Sequence, residues 1–296
     1  MTAMLQLSQE MSAGEGRIRV DVHGSEPVES ALADTTFLDY RLAAVEIRND
    51  VMLPSPDIVW DRDASAKSIE YSDGVMTLQG DWFQGELQKV VVAILALRME
   101  ATGLHPFHSS AVRFGDQTLM FLGGESNHGK SMAQIESCRR GALLVSTETT
   151  VTDERGWAVM GSKSVFLKKR AKGTERADKA SPERGVEIFF GDMPTYGEYN
   201  EPADVDLVIV PAIDGNFETS VAEMIPFERQ FQTFHGLQNY FLLNELLAPG
   251  LPMPLIDNAE LRLKRAEFVH RFAERPYYFI RAAGPQALVD EVEKVL

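Results

Sequence analysis

The clearest chemistry in the sequence lies in residues 124–131, which read Gly-Glu-Ser-Asn-His-Gly-Lys-Ser. This run fits the pattern G-x-x-x-x-G-K-[ST], in which the backbone N–H groups of a glycine-rich loop converge on phosphate oxygens. An apolar strand is predicted at 118–122, and a helix is predicted at 132–140 with Gly141 as its stop. Strand, loop and helix in this order hold phosphates at a helix N-terminus, where the backbone dipoles favour anions.

Two residues at the end of this loop have separate roles. Lys130 can reach the β- and γ-phosphates of a nucleotide, and the hydroxyl of Ser131 can ligate Mg²⁺. The alternative is a glycine-rich turn that binds nothing. The residues expected to contact the nucleotide are Gly124, Glu125, Ser126, Asn127, His128, Gly129, Lys130, Ser131 and Met132.

Further titratable residues lie close enough in chain order to join the loop. His108 could orient a nucleophile, stabilise a γ-phosphate or shuttle a proton, although it could also be a histidine hydrogen-bonded beside a strand. Glu148 follows the short apolar strand 143–145, at the sheet edge where ligands gather in α/β proteins. It is a candidate Mg²⁺ ligand or base, and the alternative is a surface acid. Asp153 is the fallback carboxylate.

The composition limits the class of protein. The 296 residues are 44% hydrophobic, which supports a sizeable core, and the net charge of −15 argues against nucleic-acid or anionic-membrane binding. The single cysteine, Cys138, excludes an internal disulfide and is expected to be a packing residue. We expect a cytoplasmic protein without a signal peptide or membrane span.

Basic residues concentrate at 163–184, which covers the predicted strand 164–168 and most of the segment 169–185 that leads to the predicted strand 186–190. Such a segment could clamp an anionic substrate, but an exposed loop is the simpler expectation for most of it, and 169–185 are expected to be disordered without substrate. Arg262 and Arg265 lie on the polar side of a predicted helix capped by Asn258, and solvent exposure is the expectation for both.

The N-terminal pattern is that of a β region. Residues 1–16 are expected to be frayed, 17–22 alternate as a strand, and 68–78 form a hairpin around Asp73-Gly74. Residues 37–48 fit either a strand pair or a short helix. A buried helix is predicted at 86–102, a central strand at 205–210 stopped by Pro211, and a late strand at 277–281.

The stretch from residue 105 to 153 resembles the HPr kinase/phosphorylase-like family, whose nucleotide core is akin to that of phosphoenolpyruvate carboxykinase. The family pattern places a histidine segment, a short hairpin, the phosphate loop, an arginine–glycine helix end and a strand ending in paired acids in this order. The matching residues here are His108-Ser109-Ser110, Phe114-Gly115-Asp116, the loop 124–131, Arg139-Arg140-Gly141 and Thr147-Glu148.

The resemblance implies an α/β fold with the P-loop core of that kind and a mixed sheet, preceded by a mostly antiparallel β region. We accordingly expect a β-rich region at 1–84 and a P-loop kinase-like domain at 85–296, or one continuous fold. It also implies ATP and Mg²⁺ as ligands, with His108, Glu148 and Lys130 as catalytic residues and Ser131 and Glu148 on the metal.

One departure from the family pattern concerns the paired acids. The resemblance assigns the first acid as general base and the second as metal or water ligand, but the first position here is Thr147. Either Glu148 does both jobs, or another group is the base, or the activity is lost or altered. If Thr147 only replaces a base, Thr147→Asp is expected to hold or raise turnover.

The leading hypothesis is an ATP-dependent kinase that transfers the γ-phosphoryl group to a hydroxyl of a peptide or protein serine, or of a small metabolite. The alternatives are a non-catalytic nucleotide sensor or assembly protein, motivated by Thr147, and a carboxykinase-like phosphoryl transfer on the same core. The expected partners are the nucleotide and the hydroxyl-bearing acceptor. The sequence leaves the oligomeric state open, a homo-oligomer included.

Overall fold

The chain folds as an α/β protein in which two mixed β-sheets both contact one long buried helix. The computed structural model describes residues 4–42, 44–123, 128–167, 186–189, 196–213, 218–241 and 251–296. The helices of these ranges are α1 (Thr36–Arg41), α2 (Gln84–Ala101), α3 (Lys130–Arg139), α4 (Pro226–Gln238), α5 (Ala259–Phe272) and α6 (Pro285–Val295). The strands are β1 (Met4–Ala13), β2 (Gly16–Gly24), β3 (Glu46–Arg48), β4 (Ile58–Asp61), β5 (Ser68–Ser72), β6 (Val75–Gln79), β7 (His105–Phe114), β8 (Gln117–Leu122), β9 (Leu143–Ser146), β10 (Thr149–Thr152), β11 (Trp157–Gly161), β12 (Ser164–Leu167), β13 (Val186–Phe189), β14 (Ala203–Asp204), β15 (Leu207–Ile213), β16 (Ser220–Glu223) and β17 (Tyr277–Ala282).

The N-terminal sheet has the strand order β3-β1-β2-β4-β6-β5. Three of its five ladders are antiparallel, as the prediction of a mostly antiparallel region requires, whereas the ladders of β2 with β4 and of β4 with β6 are parallel. Whether two strands pair in parallel depends on the connection between them, which periodicity does not report. The β5–β6 hairpin is confirmed, with positive φ at both Asp73 and Gly74 as a two-residue type I′ turn requires.

The expectation that residues 1–16 are frayed is wrong for residues 4–16, and residues 1–3 lie outside the described residues. Strand β1 pairs with β2 in a long antiparallel hairpin and with β3 on its other side. Met11 and Ala13 face the core with no exposed surface. The sequence does not show the alternation of apolar and polar residues typical of a strand, because the polar residues Gln9 and Glu10 are themselves buried. Glu10 accepts hydrogen bonds from the backbone N–H groups of Met52 and Leu53.

Helix α2 confirms the predicted buried helix. Every residue from 90 to 97 is buried, so the helix has no polar side and contacts β2, β7 and α5 in turn. Gly103 follows with a φ of +84°, which ends the helix as predicted. Because α2 touches both sheets, the division of the chain near residue 84 stays a prediction.

The second sheet has the order β14-β11-β10-β7-β8-β15-β17-β16, and β9 also pairs with β7. The strands predicted at 118–122, 205–210 and 277–281 are present as β8, β15 and β17, and they pair in parallel. Leu119 and Phe121 of β8 pack in the core that includes α3 and α6, whereas Met120 and Leu122 pack in the core that includes α4 and α5. Helices on both faces of its parallel strands therefore bury the centre of this sheet.

Two strand predictions near the sheet have different outcomes. The strands predicted at 164–168 and 186–190 are present at 164–167 and 186–189, where they form the antiparallel pair β12–β13. The polar segment 169–185 lies outside the described residues. Pro211 was expected to end β15, but the strand continues to Ile213 with Pro211 opposite Ile280 of β17. The ladder of β15 with β8 ends at Ile209, and β8 therefore requires no N–H from Pro211.

A buried ion pair joins α2 to α5 and corrects the expectation for Arg265. Both Arg265 and Glu100 have only 2% of their side chains exposed, with Arg265 Nε 2.8 Å from Glu100 Oε1. Arg265 also donates to Asp257 and lies 4.1 Å from the Phe241 ring centroid. Its position on the polar side of α5 did not reveal this, because the partner is 165 residues away. Arg262 is half-exposed, near the expectation.

No helix within the described ranges combines the length and apolarity needed to cross a bilayer.

Arg265→Ala leaves the Glu100 carboxylate buried without its partner, which we expect to cost about 3–5 kcal/mol of unfolding free energy. Urea denaturation measures this. Lys264→Ala on the same helix is the control, since Lys264 pairs with exposed Glu260 and should change stability by less than about 0.5 kcal/mol. Equal midpoints for the two variants would show that the buried pair adds no stability.

Candidate active site

The glycine-rich loop leaves the centre of the second sheet and enters α3. Residues Gly124, Glu125, Ser126 and Asn127 lie outside the described residues. Gly129 is the N-cap of α3 with a φ of +104°, and a Cβ there would lie 2.8 Å from the Ile213 side chain. The N–H of Ile213 donates to the carbonyl of His128 at 3.1 Å. Both the backbone conformation and the packing against β15 therefore require glycine at this position.

Lys130 begins α3 and is buried, with 9% of its surface exposed. Its Nζ donates to the carbonyl oxygen of Gly123 at 2.7 Å, so the side chain folds back over the loop. Burial lowers the pKa of Lys130 to about 8; the carboxylate of Glu148 opposes this shift, and the charge of Arg41 adds to it. The ammonium group thus lies at the loop in an environment that a negative charge would stabilise.

The neighbours of Lys130 differ in exposure. Ser131 and His128 are half-buried, and Met132 has 46% of its surface exposed. Ser131 lies in the first turn of α3, where its hydroxyl is next to the end of the loop. Cys138, further along the same helix, is buried as expected of a packing residue.

Thr147 and Glu148 occupy a break between β9 and β10, which follow one another along the same edge of β7. The carbonyl of Glu148 accepts from the N–H of Ser109 at 3.2 Å, so the two strands stay in register across the break. Glu148 directs its carboxylate to His108, and its Oε2 lies 3.6 Å from His108 Nδ1. Half-buried Glu148 is therefore an interior carboxylate and not a surface acid.

The side chain of Thr147 is engaged elsewhere. Its Oγ1 lies against the carbonyl oxygens of Ser162, at 3.1 Å, and of Ser164, and 3.1 Å from the hydroxyl of Ser162. Only 2% of Thr147 is exposed. These contacts suit a hydroxyl, which can donate, and do not suit a carboxylate, which only accepts.

His108 lies on β7, buried with 7% of its surface exposed. Arg41 NH1 lies 3.1 Å from its Nδ1. Because a guanidinium can only donate, we assign Nδ1 as acceptor and place the proton of the neutral ring on Nε2. Burial lowers the pKa of His108 well below its usual value, and the charges of Lys130 and Arg41 lower it further.

Two residues of α1, Tyr40 and Arg41, reach the same carboxylate, and sequence reasoning missed both. The Tyr40 hydroxyl is hydrogen-bonded to Glu148, and Arg41 NH1 lies 3.9 Å from Glu148 Oε2. Burial raises the pKa of Tyr40, and the charge of Glu148 raises it further. The segment 37–48, which fitted a strand pair or a helix, contains both α1 and β3. Nothing in its local pattern relates it to a site more than 60 residues further along the chain.

Tyr240, just beyond α4, closes the other side of the cluster. Its hydroxyl lies 2.5 Å from Thr149 Oγ1 and donates to the carbonyl of Glu148 at 3.2 Å. Burial raises the pKa of Tyr240 to about 12, so the hydroxyl stays protonated near neutral pH. Tyr240 therefore holds the Glu148 carbonyl and the Thr149 side chain where the strand break meets β10.

Other sequence candidates lie apart from this cluster. Asp153 accepts from the N–H groups of Arg155 and Trp157 in the β10–β11 turn. It is four residues from Thr149 along an extended strand, roughly 13 Å. Lys163 donates to the carbonyl oxygens of Val145 at 2.7 Å and of nearby loop residues, a structural role. The remaining basic residues of 163–184 from Lys168 onward lie outside the described residues.

The donors at the loop fit Mg²⁺ bound together with a nucleotide. In the described part of the chain, no three His, Cys, Asp or Glu side chains form a metal cluster. Mg²⁺ does not require one, because it is usually held by one or two protein oxygens, phosphate oxygens and water. The hydroxyl of Ser131 and the carboxylate of Glu148 are oxygen donors of this kind.

Among protein-family models and curated proteins, none matches this chain.

Thr147→Asp should destabilise the protein and not supply a base, because its carboxylate would face the carbonyl oxygens of Ser162 and Ser164. We expect a loss of about 2 kcal/mol or more of unfolding free energy, measured by urea denaturation. Thr147→Ser keeps the hydroxyl and should stay within about 1 kcal/mol of the wild type. A Thr147→Asp variant as stable as Thr147→Ser would show that the position accepts an acid.

Proposed function

We propose that this chain is an ATP-dependent kinase with a nucleotide site of the HPr kinase/phosphoenolpyruvate carboxykinase kind. The observation that supports this most is the convergence of Lys130, Glu148 and His108. The motif order in the sequence nominates each of them separately, and β7, the β9–β10 break and the start of α3 bring them to one place. The setting of Gly129 between β8 and α3 supports a phosphate-binding role for the loop.

In this proposal the loop and the start of α3 bind the phosphates of ATP. Lys130 contacts the β- and γ-phosphates, where their negative charge restores its full protonation. Ser131 and Glu148 hold Mg²⁺, which supplies charge neutralisation for the bridging phosphate oxygens. Backbone N–H groups carry much of the binding, as the motif implies.

The transfer step requires a group that accepts the proton of the attacking hydroxyl. The acceptor oxygen attacks the γ-phosphorus, the bond from that phosphorus to the bridging oxygen breaks, and ADP leaves with the electron pair. Thr147 cannot take the proton, since its side chain faces carbonyl oxygens. Glu148 is the carboxylate beside Lys130 and is our candidate base.

His108 has a different role in this scheme. Its lowered pKa disfavours a proton shuttle near neutral pH, because the ring does not readily take up a second proton. A neutral ring with its proton on Nε2 can instead donate a hydrogen bond to the acceptor hydroxyl or to a γ-phosphate oxygen. The acceptor itself, a serine of a peptide or protein or a small metabolite, stays open.

Lys130→Ala should abolish ATP binding and leave the fold intact, because burial already penalises the lysine's charge in the free protein. Isothermal calorimetry with MgATP and far-UV circular dichroism measure the two effects. Lys264→Ala, a lysine on the exposed side of α5, should bind ATP as the wild type does. Unchanged ATP affinity in Lys130→Ala would remove the basis for the site.

Glu148→Gln keeps the size of the side chain but removes its charge and basic oxygen. ATP binding should stay within a few-fold, whereas turnover should fall by roughly 10²-fold or more, the usual contribution of positioned acid–base catalysis. Initial rates with γ-labelled ATP and a panel of hydroxyl acceptors, together with basal hydrolysis, measure this.

Asp153→Asn is the matched control, since it makes the same chemical change at the turn carboxylate and should leave the rate unchanged. Wild-type turnover in Glu148→Gln would make Glu148 structural. A wild-type protein that binds ATP but neither transfers nor hydrolyses it would support the nucleotide-sensor alternative.

A further inference from the structure

We propose that Arg41, carried by α1 of the N-terminal region, is a γ-phosphate ligand that completes the nucleotide site from outside the glycine-rich loop. This inference rests on the proposed function, because it assumes that a nucleoside triphosphate binds at Lys130. It adds a residue and a part of the chain that the loop motif does not include.

The backbone of α1 is anchored at both ends. The N–H groups of Phe37 and Leu38 donate to Oε1 of Gln88, a side chain of α2 that is 1% exposed. At the other end, the carbonyl of Arg41 accepts a hydrogen bond from Thr149 Oγ1. The N-terminal region is thus attached to the strand break that carries Glu148, and these hydrogen bonds fix the position of the Arg41 backbone.

Aromatic rings surround the guanidinium of Arg41. Its Cζ lies 5.3 Å from the ring centroid of Phe37, 5.4 Å from that of Tyr40 and 6.0 Å from that of Tyr240. Rings at these distances stabilise a cation and limit where it can move. With 18% of its side chain exposed, Arg41 is held at the margin of the cluster and not on the open surface.

The guanidinium has hydrogen-bonding capacity beyond its present contacts. NH1 lies 3.1 Å from His108 Nδ1 and 3.9 Å from Glu148 Oε2, and the guanidinium also hydrogen-bonds the Tyr240 hydroxyl. The buried Nε–H of Arg41 meets no acceptor among the described residues. A guanidinium has five donors in a planar fork that matches phosphate oxygens. An entering phosphate would give this unused donor a partner.

Among the described residues of the cluster, the positive charges exceed the negative ones. Glu148 is one carboxylate, and it faces the two cations Arg41 and Lys130. His108, Tyr40 and Tyr240 add no negative charge, because imidazole and phenol side chains are not anionic near neutral pH. A structural counterion for Glu148 would require one cation, and Lys130 is already present. A ligand with several negative charges, such as a triphosphate, would balance the charge of Arg41, the second cation.

The position suits the chemistry of phosphoryl transfer. Charge spreads over the equatorial oxygens of the γ-phosphoryl group as it moves, and cations placed around it stabilise that charge. Lys130 approaches from the loop side, whereas Arg41 approaches from the side of His108 and Glu148, where the acceptor hydroxyl would attack. Arg41 should therefore distinguish ATP from ADP, which lacks the γ-phosphate.

The test compares the affinities of a non-hydrolysable ATP analogue and of ADP, measured by calorimetry with Mg²⁺ on the full chain. Arg41→Met should leave ADP affinity within about twofold and lower the affinity for the triphosphate analogue by about 10- to 100-fold, the effect of losing charge-assisted hydrogen bonds. Arg41→Lys keeps the charge but loses the planar fork, so an intermediate loss is expected. Arg48→Met, at an exposed arginine of the same region, should change neither affinity.

A double variant separates the two roles that Arg41 could have. If Arg41 only neutralises Glu148, the effect of Arg41→Met on the triphosphate should disappear in a Glu148→Gln background. If Arg41 binds the γ-phosphate, the selective loss should persist there. Because Arg41→Met can also unfold the chain, circular dichroism accompanies each variant, and Arg41→Lys decides the question if Arg41→Met does not fold.

The outcomes distinguish failure of this inference from failure of the proposed function. A wild type that binds neither nucleotide overturns the proposed function and, with it, the role of Arg41. A wild type that prefers the triphosphate, with Arg41→Lys and the double variant keeping the full preference, overturns the Arg41 inference alone. A selective loss for the triphosphate in both supports it.

Discussion

The arrangement of the candidate site depends on one carboxylate. Glu148 contacts His108 and Arg41 and shares a small buried volume with Lys130. These groups come from β7, α1 and the start of α3, and within the described part of the cluster the carboxylate of Glu148 offsets the repulsion between the two cations. Attraction and repulsion at these distances are strong because little water reaches the cluster. The strand break that positions Glu148 is therefore the constraint on which the geometry of the site depends.

The parts of this structure that the sequence predicts are those decided by neighbours along the chain. Positive φ at Gly129 and at Asp73-Gly74 follows from local sterics, and the Asn258 side chain accepts from the N–H of Leu261, as expected of a helix cap. The apolar runs of β8 and β15 predict buried strands, whose two faces are both covered, but they do not show that these strands pair in parallel. Burial against neighbouring helices produces these patterns wherever the strands fall in the final sheet.

The parts that were missed are decided by partners far along the chain. The local pattern predicts that Arg265 is a solvent-exposed residue of an amphipathic helix, whereas in the structure it is buried against Glu100. The Gln9 and Glu10 side chains hide the alternation of β1 because their partners are in later loops. Arg41 is a further example, since its contact His108 lies 67 residues further along the chain. A single sequence has no periodic or capping signal for such contacts.

The substitution at Thr147 and the presence of Arg41 bear on the same charge balance. The family pattern has two acids at the strand end, whereas here one position is a hydroxyl bound to the carbonyl oxygens of Ser162 and Ser164. With one carboxylate instead of two, the cations are only partly offset, which favours a highly charged anion over a neutral ligand. The same change leaves a single carboxylate for metal binding and proton transfer. Since Glu148 also orders Arg41 and Tyr40, any loss of its charge alters the position of the cation as well as the acid–base chemistry. The N-terminal region is attached to the candidate site through these contacts, because α1 carries both Arg41 and Tyr40.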